Sequence, residues 1–332
     1  MKLQHASPTM ARCAALGAAA LALAFGAPAA RADDYPSRPV KIIVPFAAGG
    51  PADIYARVLA QHLQQSLKQP FVIEDQPGAG SIIGTETVAK SAPDGYTLLL
   101  MSNTHTVNES LFTKKPFALM RDFTPIAPIN YSDLVLVVKP SLPVKSVADL
   151  IKLAKAKPGT LNYASSGPGT PYHMAGELFK AMAGVDIQHI PYKGSSGARN
   201  DLLGGQVDMM FDAVPTMAGF AEAGKVRALA TTGQKRSGVL PDVPTMAEAG
   251  VPGYDAVIWL GLMAPRGTPA AITGKLNAEI AAIVADPAVR QAWAKQGAVP
   301  MTMSIAEFTQ YLEDDIAKWA KVVKVSGAKV DE

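Results

Sequence analysis

Short apolar, β-branched runs alternate with helically spaced stretches along most of this chain, and the joints between them are rich in glycine, proline and hydroxyl residues. Few arrangements satisfy that rhythm, because strand, helix and strand in succession cross over and pair in parallel. Residues 40–44 have strand length and composition, and residues 54–67 carry helical spacing. Strands at 71–74 and 98–101 flank a helix at 82–90, and a strand at 134–138 precedes a helix at 147–157. Further strands at 162–164, 187–191, 207–211 and 228–232 are separated by helices near 173–182, 195–203 and 217–223. Helices at 269–285, with Pro269 at a first helical position, and at 305–324 complete the pattern. The expected class is α/β, with parallel-rich sheets flanked by helices.

Two strands look like crossings between lobes. Residues 134–138 follow a loop at 128–132, and residues 257–263 follow Pro252-Gly253-Tyr254. A chain that crosses twice makes one lobe discontinuous, so lobe 1 is expected at 33–132 plus 255–332 and lobe 2 at 133–254. About 300 residues also exceed what one compact core usually holds.

Residues 1–32 read differently. Lys2 and Arg12 precede an apolar run from Cys13 to Phe25, and Ala30-Arg31-Ala32 follows in the small-residue pattern of a cleavage site. The run is shorter than the roughly 20 residues a membrane span needs. A signal peptide cleaved after Ala32 is expected, with the mature protein in the periplasm. The whole chain has 31 basic and 28 acidic residues. Losing Lys2, Arg12 and Arg31 leaves 28 of each, so charge gives no reason to expect nucleic acid as a partner. Cys13, the single cysteine, leaves with the segment; a cysteine-free mature chain suits an oxidising compartment.

Three turns between strand and helix carry the chemistry. In the first, Phe46, Ala48, Gly49 and Gly50 precede Pro51, a residue suited to the first helical position, and Asp53. Glycines let backbone approach a ligand, and the free N–H groups of a helix start favour an anion. Asp53 is negative, so it is expected to cap the helix or accept a hydrogen bond from a ligand hydroxyl or a water. In the second, Ser165, Ser166, Gly167 and Gly169 lead to Thr170 as N-cap, Pro171 and His173. The third, Tyr192-Lys193-Gly194-Ser195-Ser196-Gly197, opens the helix to Leu203, after which a strand delivers Asp212 at its carboxyl end, where open α/β sheets bind ligands. His173 and Asp212 are candidate contacts, each with a plain structural alternative.

Catalytic and metal signatures are missing. Gly194-Ser195-Ser196-Gly197 lacks the spacing of a nucleophile elbow, and Ser326 to Lys329 has no companion motifs. His62, His105, His173 and His189 share no metal-ligand spacing. Gly78-Ala79-Gly80-Ser81-Ile82-Ile83-Gly84 departs from the dinucleotide spacing and is expected to be a closely packed turn that could line the cleft. No cofactor, no metal and no enzyme activity are expected.

The stretch 45–57, Pro93-Asp94-Gly95-Tyr96-Thr97-Leu98, Pro191-Tyr192-Lys193-Gly194 and the run 201–208 resemble the Bug family, the receptors of tripartite tricarboxylate transporters. So do Leu240-Pro241-Asp242-Val243-Pro244-Thr245, Glu248-Ala249-Gly250 and Ala264-Pro265-Arg266-Gly267-Thr268-Pro269, in order along the chain. The resemblance implies a type II periplasmic binding fold of two lobes. These would close on an organic carboxylate (di-, tri- or aromatic acid), held mainly by backbone N–H groups and waters of the first and second turns. A monomer is expected, and the family's usual partners are transporter membrane subunits, whose existence for this receptor the sequence leaves open. Ser81 stands where many members have glycine and Pro51 where a small polar residue is common, so the ligand does not carry over. A carboxylate sensor acting without a transporter and a periplasmic hydrolase are the alternatives. A transcriptional sensor would need a DNA-binding helix where the export signal stands, and the hydrolase would need a nucleophile paired with a base.

Overall fold

The computed structural model describes residues 35–326 and Ala328; the expected signal peptide and its cleavage site lie outside the described residues. The chain divides into two units, Met1–Ser37 and Arg38–Glu332, and the fold below is that of the second.

Ten strands form one mixed sheet, β2-β1-β3-β9-β4-β7-β5-β6, with β10 and β8 also paired to β4. At one end β1 (Val40–Val44) lies parallel to β2 (Phe71–Asp75) and β3 (Thr97–Ser102). The crossovers are α1 (Pro51–Leu67) and α2 (Ile82–Ala89). At the other end β5 (Asn162–Ser165) lies parallel to β6 (Gln188–Pro191) and β7 (Met209–Ala213), linked by α6 (Pro171–Ala183) and α7 (Ser195–Leu203). The helix–strand rhythm in the sequence is the rhythm of these two parallel ends.

The centre is antiparallel. β4 runs unbroken from Phe123 to Val138. Its first part pairs with β9 (Val257–Pro265), and Leu134–Val138 pairs with β7 and with β8 (Arg227–Thr231). The loop expected at 128–132 is therefore strand. Pro125 and Pro128 suggest a break, but the register shifts beside each of them, and a bulge is where a strand tolerates a residue without an N–H.

Each end has its own buried core. Ile43, Leu99, Trp259, Met263, Phe308 and Leu312 pack behind β1, β3 and β9, whereas Leu136, Tyr163, Phe179, Phe211 and Tyr254 pack behind β4 and β7. The chain passes from one core to the other along β4, and back between Tyr254 and Trp259. The C-terminal helix, Ile305–Ser326, touches both, with Phe308 in the first core and Trp319 in the second.

Three helices, at Asn103–Leu111, Leu119–Asp122 and Pro287–Ala294, have no counterpart in the sequence pattern, and the first of them bears on the site. α3 (Asn103–Leu111) is polar in sequence, yet Asn103, Thr104, His105, Thr106 and Asn108 are all buried. Without an apolar stripe it leaves no periodic signal. Its start is fixed instead by a capping box, Ser102 accepting from Thr104 N–H and His105 Nδ1 accepting from Ser102 N–H. The remaining helices are α4 (Leu119–Asp122), α5 (Val147–Ala156), α8 (Val214–Glu222), α9 (Ala270–Ala285), α10 (Pro287–Ala294) and the C-terminal α11, and β10 is Ala298–Pro300.

Candidate functional site

The first turn leaves β1 and enters α1 with Gly50 as N-cap and Pro51 at the first helical position; no side chain caps it. The first-turn amides of Ala52 and Asp53 have no partner within the helix. Gly49 takes φ 75°, which glycine adopts without penalty. Its N–H donates to Asp53 Oδ2 at 2.8 Å, while Arg57 Nε lies 2.5 Å from Oδ1 of the same carboxylate. Asp53 thus clasps the turn from behind, its charge met by Arg57, and buried.

The second turn is held by a column of side chains beneath it. Thr170 N-caps α6, accepting from His173 N–H and donating to Gly167 O at 2.7 Å. Ser165 Oγ accepts from Gly167 N–H at 3.1 Å and stands 2.6 Å from His189 Nε2. Gly169 N–H donates to His173 Nδ1 at 3.1 Å. The His173 and His189 rings stack at 4.1 Å, and Tyr163 stacks on His189 at 4.9 Å. Tyr163 donates to Glu177, which also pairs with Lys180. Burial pushes His173 down to about 4, helped by Lys180. His189 is pushed down to about 3, by burial and then by His173. Both rings are neutral near pH 7, as Nδ1 of His173 must be to accept from Gly169.

In the third turn Tyr192 donates to Asp201 Oδ2 at 2.5 Å, and Gly194 N-caps α7 without a side-chain cap. Asp212, at the end of β7, is fully buried and takes Arg199 Nε at 3.0 Å and Ala213 N–H at 2.8 Å. Burial raises its carboxyl pKa and Arg199 opposes that. Asp212 therefore fixes α7 from within the interior.

These turns meet around a cavity of about 1220 Å³. Phe46, Gly50, Ser166, Gly167 and Thr170 line it; Ala48 and Gly49 share the first turn without lining it, and Asp53, Ser165, Gly169, His173 and Asp212 stand behind the lining. The starts of α1, α6 and α7 all contribute, through Pro51 and Ala52, Pro171 and Tyr172, and Ser195 and Ser196. Where the first-turn dipoles of three helices face one space, an anion is favoured there. None of the described residues lining the cavity is Asp or Glu. No group of three or more His, Cys, Asp or Glu among the described residues could hold a metal ion.

Two further segments line the cavity, the third turn expected to carry chemistry and the glycine-rich turn expected near the cleft. Tyr192 to Ser196 line the cavity as a unit, and so do Pro77 to Ser81. The second segment has left-handed φ at Ala79 (46°), Gly80 (61°) and Ser81 (79°), a conformation rare for alanine and serine. Asn108 of α3 holds it by donating to Gly80 O at 2.8 Å and Ser81 Oγ at 3.3 Å. Its glycine spacing marked a turn, but the helix that pins it gave no signal.

Segments from the two ends of the sheet touch here. A β-carbon on Gly194 would lie 3.1 Å from Ala47 Cβ, one on Gly80 would lie 3.3 Å from Pro168 O, and one on Gly169 would lie 2.7 Å from Asn108 Oδ1. Hydrogen at those positions is what lets the turns close over the cavity.

A family model described as tripartite tricarboxylate transporter family receptor matches residues 55–328. The chain is 42% identical to protein BugT of Bordetella pertussis over 301 residues, 90% of this chain and 92% of that one. A protein of R. palustris solved with adipate superposes with a TM-score of 0.86 at 39% identity, covering 90% of this chain and all of the other. MatC of Rhodopseudomonas palustris, solved with bound malate, gives 0.82 at 33% identity, covering 87% of this chain and 100% of the other.

Proposed function

Because the chain belongs to the receptor family of the tripartite tricarboxylate transporters, we propose that it is exported, loses its signal peptide after Ala32, and captures a small organic carboxylate for uptake. The first turn (46–53) and second turn (165–173) hold the carboxylate through backbone N–H groups, with the start of α7 as a third donor set. Residues 33–132 plus 255–332 and residues 133–254 act as two lobes that close on the ligand. Transporter membrane subunits are the partners that receive it. Solved relatives with adipate and with malate support the ligand class.

One observation carries the reading: three helix N-termini meet around a cavity with no acidic residue among its described lining. Such a site binds an anion without a dedicated cation. Two hydroxyls among the described residues bond a histidine, Ser165 to His189 and Thr85 to His105, but both are buried and neither lines the cavity; Ser165 accepts the Gly167 amide instead. A thermal-shift screen against small carboxylates tests the proposal. A bound acid at 100 times its dissociation constant adds about 2.7 kcal/mol of stability, whereas a flat melting temperature across mono-, di- and tricarboxylates contradicts it.

A further inference from the structure

The cavity is larger and less polar than one carboxylate requires. Its walls include Phe46, Ile83, Leu111, Phe112, Ile258 and Leu260, and apolar walls favour an apolar ligand body. Only Lys114 and Lys193 are charged among the described lining residues. Lys193 belongs to the third turn, beside the start of α7. Lys114 belongs to a different wall, past the end of α3 and two residues beyond Phe112, which packs against Gly80.

The next residue, Lys115, is held by Glu109 at 3.0 Å, while Lys114 enters no ion pair among the described residues. Lys193 is likewise in no ion pair among the described residues, and with no acidic side chain in the lining a bound carboxylate is the anion that either lysine would meet in the cavity. We propose that the ligand is a dicarboxylate with an apolar spacer, one end held by the helix N-termini and the other by the Lys114 ammonium. Lys114 is then a specificity-determining residue. A compact acid with several carboxylates and a hydroxyl would place some of them against Phe46 and Leu260 without partners, which costs binding energy.

This rests on the carboxylate reading of the cavity, and the experiment keeps the two apart. Adipate, monomethyl adipate, dimethyl adipate and citrate are titrated by calorimetry into the purified protein and into Lys114→Met. Adipate should bind roughly ten-fold more tightly than its monomethyl ester, the scale of one charge-assisted contact. Lys114→Met should remove that ten-fold for adipate and leave the monoester unchanged, while Lys193→Met should weaken both alike. Citrate should bind at least about ten-fold more weakly than adipate. The proposal is overturned if Lys114→Met weakens acid and monoester equally or weakens neither, if citrate binds as tightly as adipate, or if adipate does not bind. Dimethyl adipate binding as well as adipate would instead overturn the carboxylate reading. Lys114 is exposed, so the variant should keep its fold, and an unchanged melting temperature without ligand checks that.

Discussion

The imidazole of His173 is neutral because it is buried, and that neutrality lets Nδ1 accept the Gly169 N–H. Its folded pKa of about 4 lies below the ordinary 6.5, so between those values the unfolded chain binds the extra proton. Stability from this group is complete above about pH 6.5 and is lost as pH falls toward 4, at about 1.4 kcal/mol per pH unit. His105, lowered to about 4 by burial, and His189 act in the same direction. His173→Gln keeps an acceptor and removes the titration, so its melting temperature should fall less steeply between pH 6.5 and 4. Equal slopes in the two proteins would show that His173 does not titrate on unfolding. Thr170 as N-cap was legible because Thr-Pro is a local signal. The partners of Asp53, His173 and Asp212 were not, because Arg57, Gly169 and Arg199 meet them only through the coiling of helices and the curl of a turn.

Elements place these residues, and the turns between them are where a small change should be most costly. Ala47 faces Gly194 across the cavity mouth, and Ala47→Leu adds a side chain where a β-carbon already fits closely. Holding the first turn away from the third should weaken ligand binding by roughly ten-fold or more, since overpacking costs about 1–3 kcal/mol. The ligand-free melting temperature should move little, because Ala47 belongs to a turn rather than to either core. Unchanged affinity would mean that the two turns need not approach for binding. Gly167 and Gly169 are poorer places for this test, since φ of 121° and 73° would strain any substituted side chain. The parallel ends were legible as alternating runs, helix Ser195–Leu203 to the residue. The end of β4 at 134–138 was legible too, but its earlier part was not, because its prolines suggest a loop until the bulges that accommodate them are seen, and α3 was not, because its buried face is polar.

At the scale of the whole molecule, β4 and the stretch from Tyr254 to Trp259 link the two cores. Hinge motion about them, in which the ligand shifts a population toward the closed form, should lower the radius of gyration in solution scattering on adding a saturating carboxylate. Trp259 packs edge-on to Phe308 and Tyr311 and donates to Asp315 at 3.3 Å, so its fluorescence should report the same change. Identical scattering with and without ligand would contradict closure. Capture of a carboxylate by backbone amides is tested most directly by removing the ligand's charge and leaving the protein untouched. Calorimetry of the tightest-binding acid against its full methyl ester is that measurement. Hydrogen bonds to a charged group are worth about 1.5–3 kcal/mol each, so losing one or two should weaken binding roughly ten- to several-thousand-fold. An ester that binds as tightly as the acid would contradict the carboxylate site, whatever the variants show.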